Sequence, residues 1–292
     1  MNLFAFGLGY CARHFIARSG SSFDAIAGTV RASAKAEELA SENIETLVFG
    51  PEHEDAAIAE RVASADVILV SVPPGVSADP VLARFGHRIA NLRREQTIVY
   101  LSTTGVYGDA RGEWVDETTT PAPASERSLA RLQVEKSWAA IGKESDKKVY
   151  ILRLAGIYGP GRNVLLNLKA GTAKRVVKRG QVFNRIHVED IAQAIDAALT
   201  RRASGIFNVA DDEPTPPGEP LAFAAQLLGV PPPPEIPYEQ AQAAMSPLAK
   251  SFWQECRRVN NDKFKRELGV TMQYPTYREG LRALFEQERH KR

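Results

Sequence analysis

Apolar residues fall in short, nearly uninterrupted runs separated by longer stretches with helical spacing. The runs 3–6, 25–27, 46–49, 67–72, 98–101 and 149–154 are apolar on both alternating faces, the pattern of strands covered on both sides. Between them, 34–42, 81–94 and 125–141 repeat apolar positions every three to four residues and predict helices. Strand and helix in alternation imply right-handed crossovers, hence an α/β fold built on a doubly wound parallel sheet. From about Gly159 the alternation becomes irregular. The prolines of 214–220 and 231–237 suit neither a central strand nor a helix interior, so a smaller, irregular C-terminal α+β domain is expected. Its last helices have legible ends. Asn260 or Asn261 is the expected cap of a helix stopped by Gly269, and Thr276 the cap of the terminal helix from Tyr277.

Composition narrows the partners. With 292 residues, 44% hydrophobic and 25% charged, the chain is an ordinary globular one, and its net charge of +2 carries no footprint for nucleic acid. No stretch approaches the ~20 apolar residues of a membrane span, and the first residues lack a basic leader. Cys11 and Cys256 show no metal spacing and suit free thiols in a reducing cytoplasm. Neither an HExxH pair nor a carboxylate-rich metal loop occurs, and there is no GxSxG elbow.

Candidate chemistry begins directly after the first run, at Gly7-Leu8-Gly9-Tyr10-Cys11-Ala12. Glycines at the first and third positions permit a tight turn and close approach of backbone to a pyrophosphate, and the following helix offers free amides and a positive dipole end. A string of this kind also occurs where a chain merely turns. Its place between strand and helix in a βαβ unit favours a dinucleotide, whereas a P-loop would need a following Lys-Ser/Thr that is absent. The second strand ends in Gly28-Thr29-Val30-Arg31, without the acid that would bind an adenosine ribose. Arg31, with Ser33 and Lys35 after it, suits a 2′-phosphate and predicts NADP in preference to NAD. Ser71, Val72 and Pro73, at the end of the fourth run, are expected along the cofactor groove.

Four further segments carry a resemblance. Leu101-Ser102-Thr103-Thr104-Gly105-Val106-Tyr107-Gly108, the stretch from Leu152-Arg153 to Gly161, Asn184 to Ala192, and Gly205 to Val209 resemble, in order, motifs of the extended short-chain dehydrogenase/reductases. That group holds the nucleotide-sugar epimerases and dehydratases. The resemblance implies a Rossmann domain of residues 1–158 with 187–210, and a smaller substrate domain of 159–186 with 211–292. It also implies Thr103 as a substrate-bonding group and catalysis by a Tyr and a Lys four residues later; a homodimer is one assembly the sequence leaves open.

The sequence departs from that last pattern. Arg127 stands at the Tyr position and Arg131 at the Lys position, and no tyrosine in the chain has lysine four residues on. An arginine stays protonated and cannot accept a proton as a tyrosinate does. Arg131 retains a role in bonding the cofactor ribose. Gly156 stands where the family often has a substrate-binding Asn. Substitute bases within reach of Thr103 in sequence are Tyr107, Asp109, Glu113, Asp116 and Glu117, each with a plainer reading as packing or solvated loop. His187 reads as structural, with Asp190 capping the helix after it. Lys169, Lys174, Arg175, Lys178, Arg179 and Arg185 predict a basic border to the substrate cleft and an anionic small molecule such as a nucleotide sugar. The expected protein is an NAD(P)-binding oxidoreductase or epimerase/dehydratase-like enzyme, the alternative a cofactor-binding sensor without turnover.

Overall fold

A computed structural model describes residues 1–39, 43–51, 53, 55–75, 78–201 and 204–290. The last three positions of the helix expected over 34–42 lie outside them. Strands β1 (Asn2–Phe6), β2 (Ala25–Val30), β3 (Glu45–Val48), β4 (Val67–Val70) and β5 (Gln96–Thr103) come first, followed by the two-residue β6 (Trp114–Val115) and by β7 (Lys147–Leu154). Short strands β8 (Gly156–Tyr158), β9 (Arg175–Val177) and β10 (Arg185–His187) follow, then β11 (Gly205–Val209), β12 (Glu235–Pro237) and β13 (Arg258–Val259). Seven of them form one parallel sheet in the order β11-β7-β5-β4-β1-β2-β3, which reverses direction beside β1. That reversal opens a crevice at the carboxyl ends of β1 and β4, where open α/β sheets bind ligands.

Period-two alternation splits the core between the two faces of the sheet. Leu3 and Ala5 of β1, Val99 and Leu101 of β5, and Tyr150 and Leu152 of β7 pack on one face. Their neighbours Phe4, Phe6, Ile98, Tyr100, Val149 and Ile151 pack on the other. A third, separate cluster joins Tyr158, Leu165 and Ala224 to Tyr277, Leu281 and Leu284 of the last helix, Tyr277–His290. The expected helix over 81–94 starts as a wide turn at Leu82–Gly86 on the Asp79 carboxylate, which accepts the Val81 and Leu82 amides, and ends at Asn91.

Helix ends follow the sequence at the C-terminus and depart from it at Asp190. Thr276 and Glu279 form a reciprocal capping box, and Gly269 takes the left-handed conformation that stops its helix. The Asn261 side chain bonds Ala210 and Asp212 instead of capping, while Asn260 Oδ1 accepts the Asp262 amide. The cap of helix Val188–Thr200 is His187, whose Nδ1 accepts from the Glu189 amide at 3.2 Å; Asp190 is used elsewhere. Its carboxylate accepts the Gln273 and Tyr274 amides at 2.6 and 3.1 Å, fastening the C-terminal segment to the sheet layer.

Burial pushes the Asp190 carboxyl up to about 6. The folded value lies above the unfolded one, so its stabilising contribution is complete below the ordinary carboxylate range and is lost as the pH rises through about 6. Between those limits the folded state holds one proton more, a slope of about −1.4 kcal/mol per pH unit. Asp190→Asn is expected to lower stability throughout and to remove that slope. Chemical denaturation from pH 4 to 6 checks it, and an unchanged slope would exclude Asp190 as its source.

Candidate functional site: a glycine-turn cavity and an arginine-lined cleft

The turn after β1 is built from both flanking strands. The Gly7 amide donates to Thr29 Oγ1 at 2.9 Å, the Leu8 amide to the Thr29 carbonyl at 2.8 Å, and Ser71 Oγ donates to the Gly7 carbonyl at 2.6 Å. Gly7 has φ +93°, and a Cβ there would stand 2.9 Å from both Ser71 Oγ and Val72 Cγ1. A Cβ on Gly9 would meet no atom within 4 Å. Gly9 caps helix Tyr10–Ser19, whose first turn holds no acid and whose N-terminus receives no side-chain cap. Free amides therefore face open space at a positive dipole end, the requirement for a pyrophosphate.

That space is a cavity of about 650 Å³ lined by Gly7, Leu8, Gly9, Arg31, Ser71, Val72 and Pro73, with Thr29, Phe49 and Gly50 on its walls. The residues fit a dinucleotide: a glycine cradle for the diphosphate and, at the far end, Arg31. Exposed Arg31 has no hydrogen bond or ion pair among the described residues, whereas Lys35 is paired with Glu38 at 2.5 Å. Arg84, which the sequence pattern did not single out, also lines the cavity. It is fixed by Asp55 and the Gly50 and His53 carbonyls and lies 4.6 Å over the Phe49 ring. Tyr10 and Cys11 are placed differently from expectation. Neither lines the cavity; the Tyr10 hydroxyl donates to the Pro160 carbonyl, and burial pushes the Cys11 thiol up to about 11.

A second cleft of about 720 Å³ meets the first at Pro73. The structure brings Thr103, Arg127 and Arg131 together in its wall. Thr103 Oγ1 accepts the Gly105 amide at 3.1 Å, and Arg131 Nη1 donates to the Leu101 carbonyl at 2.7 Å and to the Tyr100 hydroxyl at 3.2 Å. Arg127 is exposed and lies 5.2 Å over the ring of Phe252. Beneath them Glu135 and Arg153, each 2% exposed, form a bidentate pair that also receives the Ser102 hydroxyl at 2.5 Å.

The substitute bases do not enter. Tyr107 is buried, its hydroxyl donating to Asn208 Oδ1 at 2.8 Å beneath the Arg153 guanidinium. Asp109, Glu113, Asp116 and Glu117 lie outside the lining; Asp116 closes a turn on Thr118 and Thr119, and Glu117 accepts the Asn208 amide. Burial holds His187 down at about 4, so it stays neutral. Tyr158 does line the cleft, but burial pushes its hydroxyl up and sets it against Gly280, away from the opening. The one carboxylate in the lining, Glu255, is paired with Arg257 at 2.7 Å.

The basic border also differs from expectation. Of the six residues in the basic run, only Arg185 lines the cleft. Lys169 pairs with Glu288, Arg175 with Glu235, and Lys178 donates to the Trp253 carbonyl. The lining is nevertheless cationic through Arg127, Arg131, Arg162, Arg185 and Arg257. Arg162 and Arg257 come from loops with no charge pattern to mark them.

A parallel sheet with an uncapped glycine-turn cavity, continuous with a cationic cleft, is a Rossmann-like architecture with an adjoining arginine-lined cleft. Residues 84–210, less than half of the chain, match the model of the NAD dependent epimerase/dehydratase family. The chain is 40% identical to a conserved protein of unknown function from Silicibacter pomeroyi, over 98% of this chain and 99% of that one, with a TM-score of 0.86. The fold is also that of a dTDP-glucose 4,6-dehydratase from Bacillus anthracis solved with NAD, at TM-score 0.75, 19% identity and coverage of 99% and 97%. Among curated proteins, a 3-diazoavenalumate denitrifying reductase from a Streptomyces species is 30% identical over 176 residues, 58% of this chain and 55% of that protein. Protein YeeZ of Escherichia coli is 34% identical over 139 residues, 47% of each chain. These matches span about half the length of the curated relatives. Among the described residues no helix is long and apolar enough to cross a membrane.

Proposed function

We propose that this protein is an NADP(H)-dependent reductase for an anionic small molecule bound in the arginine-lined cleft. The observation that carries the reading is the pairing of an open glycine cradle with a cleft that has cations but no free base. Epimerases and dehydratases that begin by oxidising a hydroxyl must remove its proton, and Arg127 cannot take it. Reduction of an electrophile has no such need. When bound, NADPH supplies the hydride, leaving as NADP⁺.

The protein's own residues position and screen. Amides at Gly9 and the following helix turn hold the diphosphate, Arg31 takes the 2′-phosphate, and Arg131 is fixed by Tyr100 and Leu101 beside the ribose. Thr103 Oγ bonds a substrate oxygen, and any proton the product requires enters from water at the open cleft. Similarity to a protein named as a reductase supports the direction.

The test has two parts. NADPH is expected to bind more tightly than NADH by roughly tenfold, the value of one charge-assisted phosphate contact, and Arg31→Ala is expected to erase the difference. Equal affinities in the unmutated protein would remove the role of Arg31. A screen of carbonyl, diazo and other reducible acids for NADPH consumption then addresses turnover. Binding without consumption of NADPH by any of them favours the sensor reading, to which the missing base also points.

A further inference from the structure

The arginines of the cleft are not equivalent. Arg131 is spent on Tyr100 and Leu101, and Arg257 on Glu255 and the Gly108 carbonyl. Arg127 and Arg162 are exposed and keep their water. Arg185, on β10, is half-buried, and its side chain's one hydrogen bond among the described residues runs from Nη1 to the Phe183 carbonyl at 3.1 Å. No carboxylate among the described residues stands within ion-pair distance of it. Asp211, whose amide donates to the Arg185 carbonyl, and Glu213 act on the guanidinium through space, but neither forms an ion pair with it among the described residues. A cation largely withdrawn from water with no carboxylate in direct contact is costly, and an anion delivered to its open donors recovers part of that cost.

The remaining donors, Nε and Nη2, form the side-on fork that accepts both oxygens of a carboxylate. Aromatic side chains line the same cleft: Phe183 meets Trp253 edge to face at 5.2 Å, and Phe252, 50% exposed, lies under Arg127. A hydrated diphosphate finds no donors on those rings, whereas a flat ring packs well against them.

We propose that the cleft takes a planar aromatic carboxylate, with Arg185 gripping the carboxylate and Phe183, Trp253 and Phe252 packing on the ring. The inference deepens the reading of this cleft as the substrate site. Calorimetry on the full chain with trans-cinnamate, cinnamamide and UDP-glucuronate tests it, with NADPH titrated separately into every variant. Cinnamate is expected to bind roughly tenfold or more tightly than its amide, and more tightly than UDP-glucuronate. Arg185→Gln is expected to equalise acid and amide, with Arg185→Lys keeping part of the preference. NADPH binding reports whether each variant is folded. If Arg185→Gln fails to fold, the acid-to-amide comparison in the unmutated protein still decides. Equal affinity for acid and amide, tighter binding of UDP-glucuronate, no binding of cinnamate, or a preference that survives Arg185→Gln in folded protein would each overturn the proposal. If cinnamate is discriminated while NADPH fails to bind, the cofactor assignment falls and this one stands.

Discussion

Replacing Gly9 by valine is expected to weaken NADPH binding by about 100-fold while leaving the melting temperature nearly unchanged. The separation follows from the space around the residue. A Cβ at Gly9 meets nothing within 4 Å, and its backbone at φ −87° and ψ −168° is extended, so valine introduces neither a clash nor strain. The new methyl groups occupy the space through which a diphosphate must approach the helix amides. Losing two charge-assisted bonds of ~1.5 kcal/mol each gives about 3 kcal/mol, close to the stated factor. Gly7→Ala is the contrasting variant. Its Cβ would stand 2.9 Å from Ser71 Oγ and Val72 Cγ1 at φ +93°, so stability and binding should fall together. Fluorescence titration of NADPH alongside thermal unfolding distinguishes the two. A Gly9→Val protein with normal NADPH affinity would place the cofactor elsewhere.

The second large effect is on stability and comes from beneath the cleft. Glu135 and Arg153 are each 2% exposed and bond through two guanidinium nitrogens, and Ser102 completes the carboxylate. Removing one partner leaves the other charged and buried, a loss on the order of 3–5 kcal/mol. Glu135→Ala and Arg153→Ala are therefore each expected to unfold at much lower denaturant concentration. The double variant should lose well under the sum of the two, because neither charge is then stranded. Additive losses in a double-mutant cycle would show that the pair is not coupled as its geometry requires. Because β5, β7 and helix Glu126–Glu144 converge on this pair, it also holds Thr103 and Arg131 in place, and turnover should fall with stability.

The sheet was legible in the sequence because a strand covered on both faces has an unmistakable composition: all four residues of β4 are buried, and the run of valines, isoleucine and leucine predicts that. Thr103, Arg127 and Arg131 were legible as neighbours through the resemblance, whose strand-end and helix motifs these positions match. The basic run between 169 and 185 misled for a definite reason. Charge along a chain does not say which side of an element faces a cleft, and Lys169 and Arg175 turned to Glu288 and Glu235, partners more than fifty residues away in the chain. Arg84, Arg162, Phe252 and Arg257 were invisible for the same reason. Their place in the site depends on long-range packing, with no local pattern to announce it. Asp190 accepts the amides of a loop segment more than eighty residues later, so an acidic residue after a strand resembled a cap without being one.

The glycine turn as a dinucleotide cradle is tested most directly by calorimetric titration of NADPH, NADP⁺, NADH and NAD⁺ into the chain. One saturable site is predicted, tightest for the phosphorylated pair and strongly weakened in Gly9→Val. Absence of heat with all four nucleotides, in protein that unfolds cooperatively, would contradict it.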